Sequence, residues 1–445
     1  MSVAGARAAA GQALPPHRLP RLIPPEGPLA LAEHLERYGP VPFSDAAAGP
    51  GRDTLISEVE QSGLTGRGGA GFPAGRKMRA VAQAGRRAGP LRSQVGTVVI
   101  ANGAESEPGS TKDRMLLARA PHLVLDGIAL AAEAVGATRA YLCLHESSDG
   151  VDRILSSAIS SRERAGLNRL PIQVVMIGGG YVASQETSLV SFINGGAGKP
   201  AFVPPRPSDK GAHGRPTLVQ NVETLAHLAL IARYGPSWFR KVGGGAGSAL
   251  VTFGGAVHRP GVYEIALGTP LSDLLRQAGG PTEAPQAIQA GGYFGGWIRY
   301  QDALDVPVSD PGLRAAGASL GPGILVLVPA SACGLAETAR VVGYLAEQSA
   351  GQCGPCFNGL PALADALWEL AYGRADRDTL GWATRLLSLI ARRGACHLPD
   401  GTAALAASTL RVFADELGRH TAAGPCNRVR RPGVLPVPGH PDVRA

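Results

Sequence analysis

A glycine-rich stretch at residues 63–78 places the strongest limit on how this chain can fold. It reads Gly63-Leu-Thr-Gly-Arg-Gly-Gly-Ala-Gly-Phe-Pro-Ala-Gly-Arg-Lys-Met78, with six glycines, one proline, two arginines and one lysine. So many glycines disfavour a helix, and the apolar residues do not alternate as they would in a strand. A backbone this bare can bring several N–H groups close to an anion, with positive charge beside it. The stretch therefore predicts a phosphate-binding loop, although a flexible surface loop has the same composition.

The segments on either side of this stretch have helical patterns. Residues 53–62 form an amphipathic pattern that leads into the loop, and residues 74–85 continue the chain as a second helix. A helix–loop–helix setting excludes the strand–turn–helix arrangement of the common dinucleotide fingerprint.

Strands alternate with helices in the next part of the chain. The strands are predicted at 97–101, 140–144 and 172–177, and the helices at 113–119, 121–135, 150–165 and 184–194. This alternation indicates a parallel α/β sheet, on which ligands lie at the carboxyl ends of the strands. Two polar turns, 102–109 and 178–187, lie at such ends. Residues 197–221 are predicted to be a Pro-rich loop.

Two further modules follow along the chain. Short strands at 249–253, 261–265, 287–290 and 323–329, with one helix at 270–277, predict a small β-grasp module. Helical patterns at 335–348, 358–372, 377–393 and 402–419 predict a bundle. The predicted fold class is therefore α/β, with an irregular N-terminal arm (1–45), a Rossmann-like domain (46–240), a β-grasp domain (245–330), a helical domain (334–420) and an irregular tail (421–445).

Composition excludes several classes of protein. The 445 residues are 44% hydrophobic and 18% charged, which is typical of a globular chain of several domains. The net charge is +8, but no basic run is interleaved with aromatic residues, so nucleic-acid binding is not expected. No apolar run reaches the roughly 18–20 residues that span a bilayer, and no secretory signal is expected. A cytoplasmic protein is expected.

Three cysteines have a spacing that suggests a metal centre. Cys353 and Cys356 form a Cys-x-x-Cys pair at a helix start, and Cys396 follows 40 residues later. Such a pair can bind iron or zinc, and a remote cysteine can complete the site, although a redox pair is the alternative. Because three cysteines are one short of the usual four, His397 and Cys426 are candidates for the fourth ligand.

Carboxylates in the polar turns are candidates for contacts to hydroxyl groups. Glu105 and Glu107 lie in the first turn, where an ionised carboxylate would accept from ribityl or ribose hydroxyls. Glu186 begins a helix, where the helix dipole also favours a carboxylate. A solvated loop explains the same residues equally well.

Taken together, these motifs resemble one known family. In chain order they are Gly66-Arg-Gly-Gly-Ala-Gly-Phe-Pro73, Glu105-Ser-Glu-Pro-Gly109 with Lys112-Asp-Arg114, Glu186-Thr187, Gly214-Arg-Pro-Thr217 with Asn221-Val-Glu-Thr224, and Cys353-Gly-Pro-Cys356 with Cys396. Over roughly residues 50–420 the chain resembles the flavin- and NADH-binding 51 kDa subunit of respiratory complex I and the related diaphorase subunits of NAD-linked hydrogenases and formate dehydrogenases.

The resemblance implies an oxidoreductase subunit of the NADH dehydrogenase type, with FMN, NAD(P)H and a [4Fe–4S] cluster. A hydride would pass from NAD(P)H to FMN, and single electrons would then pass to the cluster and an onward acceptor. The implied flavin-binding residues are Gly66, Arg67, Gly68, Gly69, Gly71, Lys77, Asn102, Glu105, Ser106, Tyr181 and Asn221. Phe72 and the candidate catalytic residues Glu107 and Glu186 would face the nucleotide. Cys353, Cys356 and Cys396 would hold the cluster.

The chain also departs from the family pattern. Ala104 stands where the family has an aspartate, and Ser184-Gln185 stands where it has Gly-Glu. Val203-Pro-Pro-Arg206 replaces Lys-Pro-Pro-Phe, and Ala80 replaces an aromatic residue that stacks on the adenine. Ala350 replaces the first cysteine of the cluster motif. The first four changes affect the nucleotide and flavin surfaces, and the last affects the cluster.

Three functions remain open at this level. The first is a divergent flavin and iron–sulfur electron-transfer subunit, and the second is a degenerate structural or relay subunit that keeps the fold. The third is an enzyme that exchanges electrons with ferredoxin. The family also implies a small [2Fe–2S] thioredoxin-like or ferredoxin-type partner, and peripheral association with the inner face of a membrane complex.

Overall fold

The computed structural model describes residues 18–44, 51–87, 96–146, 148, 150–373 and 376–438. Residues 1–17 and residue 45 of the predicted N-terminal arm lie outside the described residues. Within the described part of the arm there is one helix, α1, at Leu31–Tyr38.

The first sheet has four parallel strands in the order β3-β2-β1-β4. The strands are β1 Thr97–Gly103, β2 Ala137–His145, β3 Ile172–Ile177 and β4 Thr217–Asn221. The predicted parallel α/β sheet is therefore confirmed. The prediction of a loop over 197–221 is wrong at its end, because residues 217–221 form β4. All five residues of β4 are buried, yet polar Gln220 and Asn221 hide the apolar pattern of a buried strand.

Helices surround this sheet and supply most of its core. They are α2 Arg52–Ser62, α3 Ala74–Arg87, α4 Lys112–Arg119, α5 Pro121–Val135, α6 Val151–Arg164, α7 Glu186–Ile193 and α8 Val222–Phe239. Pro121 begins α5, where its missing N–H costs nothing, and Gly136 ends α5 with a φ of 73°. α8 bends near its end, at Gly235 with a φ of 84°, because Pro236 follows.

The second sheet has five strands in the order β6-β5-β9-β7-β8. They are β5 Ser248–Gly255, β6 Gly261–Ala266, β7 Pro285–Ala290, β8 Gly296–Arg299 and β9 Ile324–Pro329. β5 and β9 run parallel, and the other neighbours are antiparallel. Its helices are α9 Leu271–Gln277, α10 Tyr300–Ala303 and α11 Asp310–Ala315. This mixed sheet with a parallel central pair confirms the predicted β-grasp module.

The C-terminal region is a helical bundle, as predicted. Its helices are α12 Gly334–Glu347, α13 Leu360–Tyr372, α14 Arg377–Ile390, α15 Leu398–Val412 and α16 Ala414–Ala423. The single helix predicted at 402–419 is wrong, since the chain breaks between α15 and α16 at Phe413. The Phe413 ring is buried and lies 5.1 Å from the ring of Trp297, which favours the break.

The segment after α16 has little regular structure, but it is packed against the bundle. It contains one short 3₁₀ turn at Asn427–Arg430. Leu435 and Val437 are 1% and 2% exposed. Glu337 accepts the backbone N–H of Leu435 at 2.9 Å. The tail is therefore part of the core of the bundle.

No single helix among the described residues is long and apolar enough to cross a membrane. Lys112–Arg119 and Pro121–Val135 pass that test of length and composition only as a pair, and they are bent by 96°.

Candidate functional site

The glycine-rich loop is closed at its base by the flanking residues. Thr65 and Pro73 form an antiparallel bridge, and the N–H of Gly66 donates to the carbonyl of Phe72 at 2.9 Å. α2 ends before the loop and α3 begins directly after it, so both ends of the loop are held by helices. The predicted helix–loop–helix setting is confirmed.

The glycines of the loop allow a backbone that side chains would strain. Gly69 and Gly71 have φ values of 109° and 62°, which residues with a Cβ rarely adopt. A Cβ on Gly68 would lie 3.3 Å from the Cβ of Asn221, at the carboxyl end of β4. The loop therefore lies against the ligand-binding edge of the parallel sheet with its backbone exposed.

Arg67, which the sequence places among the flavin ligands, is buried. It is 6% exposed, and its N–H donates to Thr224 Oγ1 at 2.9 Å. Its Nη2 donates to the carbonyl of Ser248 at 3.0 Å, and its Nε lies 3.8 Å from Glu223. Burial lowers the pKa of Arg67. These contacts attach the loop to α8 and β5, and contact of Arg67 with a cofactor stays a prediction.

A buried ionic network lies beneath the loop. Lys112, 1% exposed, places its Nζ 2.7 Å from Asp113 and 2.9 Å from Glu223. Asn221 donates to Asp113 at 2.6 Å, and its Oδ1 caps α8 by accepting the N–H of Glu223 at 3.0 Å. The network fixes Asn221 at the edge of the sheet.

The two acids of this network titrate very differently. Burial raises the pKa of Asp113 to about 7, although Lys112 opposes the rise. Burial also acts to raise the pKa of Glu223, but the charge of Lys112 and the neighbouring His227 and Arg67 lower it to about 2. Glu223 is therefore the carboxylate that balances the buried cations.

The first polar turn brings two predicted ligands to the same edge. Asn102, the residue before the end of β1, lies directly opposite Asn221 in the sheet register. Its Nδ2 donates to the carbonyl of Ser184 at 2.9 Å. Ser106 donates to the carbonyl of Tyr181 at 2.7 Å, so the turns after β1 and β3 are hydrogen-bonded to each other.

Glu105 is engaged within its own turn. It accepts the backbone N–H groups of Asp113 and Arg114 at 2.9 and 3.0 Å, at the start of α4. Ser110 also donates to it, at 2.5 Å. Glu105 thus stabilises the N-terminus of a helix, and its predicted contact with a flavin ribityl chain stays a prediction.

Glu107 lies in an aromatic cluster where all three modules meet. The hydroxyl of Tyr181 donates to one carboxylate oxygen of Glu107, and the N–H of Tyr293 donates to the other at 3.1 Å. The two tyrosine rings are stacked with centroids 6.1 Å apart, and Tyr344 of α12 packs edge-on against both. Burial raises the pKa of Glu107 to about 7, against the effect of its two hydrogen bonds. This carboxyl group can therefore change its charge near neutral pH.

The second predicted catalytic residue, Glu186, pairs with a predicted flavin ligand. Its carboxylate lies 3.0 Å from Lys77 Nζ, which joins α3 to the start of α7. Gln185 caps α7 by accepting the N–H of Thr187 at 2.8 Å. Lys77 and Glu186 are 22% and 33% exposed, so both remain accessible to a ligand.

The surface on which a nucleotide would lie carries exposed apolar groups. Phe72 is 44% exposed, and Phe202 and Val203 are 63% and 51% exposed. Arg76 lies 5.8 Å from the centre of the Phe72 ring. Ala80 is exposed on α3 and offers no ring for stacking.

One buried donor at the sheet edge lacks a hydrogen-bond partner in the part of the chain that the structure describes. Gln220, the residue before Asn221, is 5% exposed, and among the described residues its Nε2 makes no hydrogen bond. Such a donor at the carboxyl end of β4 suits a ligand rich in oxygen and nitrogen acceptors. Together with the bare loop and the cation of Lys77, it shows that the residues present fit FMN.

The predicted cluster ligands lie in two connections of the bundle, Cys353 and Cys356 between α12 and α13 and Cys396 between α14 and α15. Cys353 and Cys356 flank a tight turn in which the N–H of Cys356 donates to the carbonyl of Cys353 at 3.0 Å. Burial, together with the nearby Cys353 and Cys396, raises the pKa of Cys356 to about 12. Cys353 and Cys396 are therefore close enough to affect the Cys356 thiol, and a cluster held by all three cysteines stays a prediction.

A fourth ligand for that site does not come from either predicted candidate. The side chain of His397 is 84% exposed and lies 3.5 Å from Asp400. Cys426 lies beside Cys333 in a separate group. The carbonyl of Ala350, at the family's first cysteine position, accepts from Lys199 at 3.1 Å. The residues present fit an iron–sulfur cluster through three cysteines.

Several residues of the site are missed by sequence reasoning about single positions. Lys112, Asp113 and Glu223 belong to the family motifs, but no individual role is predicted for them. No role is predicted for Tyr293. The available signal is the placement of charged residues within apolar segments, since buried charges occur in pairs.

Comparison with known proteins agrees with this site. The family model described as the Nuo51 FMN-binding domain matches residues 59–230. A model of the SLBB domain matches residues 250–294, and one of the NADH-ubiquinone oxidoreductase-F iron-sulfur binding region matches residues 330–420.

Two relatives match this chain over most of their own length. The F subunit of the NADH-quinone oxidoreductase of Mycobacterium bovis is 32% identical over 432 residues, covering 92% of this chain and 94% of the relative. The corresponding protein of Streptomyces coelicolor is 32% identical over 387 residues, covering 84% of each.

A solved structure of an NAD+-reducing [NiFe]-hydrogenase in the air-oxidized state superposes with a TM-score of 0.74 and 29% identity, over 82% of this chain. This chain spans 62% of the length of that hydrogenase chain. The chain therefore belongs to the family of NADH-quinone oxidoreductase F subunits, and it carries the FMN-binding, SLBB and iron–sulfur-binding regions of that family in order.

Proposed function

We propose that this chain is a flavin and iron–sulfur electron-transfer subunit that oxidises a nicotinamide nucleotide. The observation that carries the proposal is the convergence of the glycine-rich loop, Asn102 and Asn221 on one edge of the parallel sheet. The chemistry that FMN and a [4Fe–4S] cluster supply when bound is acceptance of a hydride followed by transfer of single electrons. The protein's own residues bind, orient and shield these groups.

The loop and the sheet edge supply the flavin contacts in this proposal. The exposed backbone around Gly68 and the ammonium of Lys77 would bind the phosphate. Asn102 and Gln220 would orient the ring system, because both present amides at the ends of strands. The buried charges beneath the loop hold Asn221 and Arg67 in place, so the site is rigid before a cofactor binds.

The nucleotide would approach from the side of Phe72 and Glu186. Phe202, which is 63% exposed, and Arg206 are available to stack or to pair with phosphate where the family has other residues. Glu107 would face the nicotinamide side, where a carboxyl with a pKa of about 7 can adjust its charge. Tyr181 and Tyr293 exclude water from it.

Electrons would leave through the three-cysteine site. Phe357, next to Cys356, is 71% exposed, and Trp382 and Leu389 are 47% and 40% exposed on α14. These two α14 residues are seven positions apart and so lie on one face of the helix. We propose that this apolar surface receives a small [2Fe–2S] partner of thioredoxin-like or ferredoxin type.

The proposal includes the boundaries of the domains and the cellular location of the protein. The flavin domain would comprise 46–240, the β-grasp domain 245–330, the cluster domain 334–420 and the tail 421–445. As in the relatives named for NADH-quinone oxidoreductase, the protein would act in a larger complex, at the cytoplasmic face of a membrane.

The test is a visible spectrum of protein purified anaerobically, with flavin and iron assays. The expected result is bound FMN, an iron–sulfur absorbance shoulder and bleaching of the flavin band when NADH is mixed in a stopped-flow instrument. Absence of both flavin and iron would refute the proposal. Flavin that NADH and NADPH both fail to bleach would limit the protein to a relay fed by another donor.

A second candidate, a degenerate structural subunit, is favoured by Ala350 and by the exposed Ala80. In that case the fold would be retained without flavin or cluster. The two candidates differ in the flavin and iron content of the purified chain, which the same spectrum and assays measure.

A further inference from the structure

Four metal-ligating side chains meet at the base of the helical bundle, apart from the cluster cysteines. Cys333 precedes α12, Glu416 and His420 lie one turn apart on α16, and Cys426 lies in the tail. One ligand atom from each residue lies within 4.8 Å of all the others. The start of α12 and the region of α16 and the tail, which are about 80 residues apart in sequence, thus contribute to one group.

The group is built in the interior of the protein. Cys333, Glu416 and His420 are 1–2% exposed, and Cys426 is partly buried. The Sγ of Cys333 lies 2.7 Å from Glu416 Oε1 and 3.9 Å from His420 Nε2. Buried polar groups at such spacing carry a desolvation cost that a bound cation would offset.

The histidine is oriented as a metal ligand would be. Its Nδ1 lies 3.2 Å from the carbonyl of Leu370, and Nδ1–H donation to that oxygen leaves Nε2 with a free lone pair toward the group. In this structure Nε2 accepts the backbone N–H of Cys426 at 3.2 Å. A bound cation would be coordinated by the Nε2 lone pair in place of that hydrogen bond. The backbone N–H of Cys426 could then donate to the neighbouring thiolate.

We propose that Cys333, Glu416, His420 and Cys426 bind a zinc ion. Two sulfurs, one imidazole nitrogen and one carboxylate oxygen form the four-coordinate set that zinc prefers in closed structural sites. Binding displaces the protons of both thiols, and the site has no open position for a substrate.

The surroundings balance the charge of such a site. Two thiolates and one carboxylate leave one net negative charge around a divalent cation. Arg428 Nη2 lies 2.8 Å from the outer carboxylate oxygen of Glu416, and Gln286 donates to the same oxygen at 3.2 Å. These contacts orient the carboxylate so that its other oxygen faces the thiols.

The zinc would fasten the tail to the bundle. From Cys426 the chain runs on to Pro436, whose carbonyl accepts from the hydroxyl of Tyr293. Tyr293 in turn donates its N–H to Glu107. The site therefore has a structural role that supports the Glu107 cluster from behind, independently of flavin binding.

The test measures zinc, iron and flavin in the full-length protein, purified anaerobically and dialysed against EDTA. One zinc per chain is expected in the wild type and in the control Cys143→Ala, which removes a buried thiol from β2. Zinc content is expected to fall at least about tenfold in Cys426→Ser, with flavin content unchanged. Cys426 is the most exposed ligand, so this variant disturbs the core least.

Cobalt replacement gives a readout that requires no variant. Cobalt(II) added to zinc-free wild type is expected to give thiolate-to-metal charge-transfer absorbance and the visible bands of a tetrahedral site. Wild type that retains neither zinc nor cobalt would overturn the proposal, as would full zinc content in Cys426→Ser. A Cys333–Cys426 disulfide in protein kept from air would also overturn it.

Discussion

Replacing Glu107 with glutamine is expected to change how the stability of the protein depends on pH. In the folded protein burial raises the pKa of this carboxyl from 4.5 to about 7. Glutamine has nearly the same shape and still accepts the N–H of Tyr293, whose distance to Glu107 is 3.1 Å. The Tyr181 hydroxyl can then accept from the glutamine amide. The substitution therefore removes the titration with little change in packing.

The sign follows from proton binding. Between the unfolded and folded pKa values, pH 4.5 and about 7, the folded state holds a proton that the unfolded state has lost. Wild-type stability therefore falls as pH rises through this interval, and below the interval the carboxyl is neutral in both states. A shift of about 2.5 pKa units corresponds to about 3 kcal/mol. Glu107→Gln should escape this loss, so its stability relative to wild type should rise by about 3 kcal/mol from pH 4 to pH 8.

The assay is urea unfolding at 25 °C across that pH range. Unfolding is monitored by the fluorescence change of the transition that exposes the tyrosine cluster. Other buried acids, such as Asp113 and Glu264, also have raised pKa values, so only the difference between variant and wild type reports on Glu107. Glu36→Gln, on the exposed side of α1, is the control and should keep the wild-type dependence. A difference that stays constant within about 1 kcal/mol across the range would refute the reasoning.

Three further predictions concern the cluster and the buried charges. Ala350→Cys restores the family's first ligand and should raise the iron and labile sulfide retained per chain, whereas unchanged iron would mean that the site is already complete or closed. Lys112→Met removes the ammonium that lies 2.9 Å from the buried Glu223. The free energy of unfolding should fall by about 3–5 kcal/mol, as measured by thermal melting. Most of the bound flavin should also be lost, as measured by flavin fluorescence. Asp126→Asn removes a fully buried carboxylate 2.5 Å from Arg233 and should lower the free energy of unfolding by a similar amount. Flavin release before unfolding would argue against a purely structural role of Asp126.

Most of the fold can be predicted from local patterns. The strands at 97–101 and 172–177 and the helices at 74–85 and 121–135 are present within a few residues, because apolar runs and glycine or proline boundaries identify them. β4 escapes prediction because it is short and carries polar residues that a ligand edge requires. The break at Phe413 escapes prediction because no helix-breaking residue marks it, and the packing of the Phe413 ring against Trp297 is a tertiary contact.

Part of the candidate site can likewise be predicted from local patterns, and part depends on contacts between distant segments. The Cys-x-x-Cys spacing predicts that Cys353 and Cys356 share one tight turn, and the structure has that turn, whereas a site shared with Cys396 stays a prediction. The spacing does not reveal the protein contacts of Arg67 and Glu105. The structure shows one bound to Glu223 and Ser248 and the other capping a helix. A motif specifies which residue types are present, but burial decides which partners they meet.

By itself, the sequence determined the glycine-rich loop between two helices, the alternation of strands and helices and the tight turn of Cys353 and Cys356. All of these depend on contacts between residues close in the chain or on motifs of fixed spacing. Only the tertiary structure decided that Glu107 has a pKa near neutrality and that Cys333 and Cys426 share a site with Glu416 and His420. The physical reason is that desolvation and ligand geometry depend on distances in space between segments that no local pattern relates.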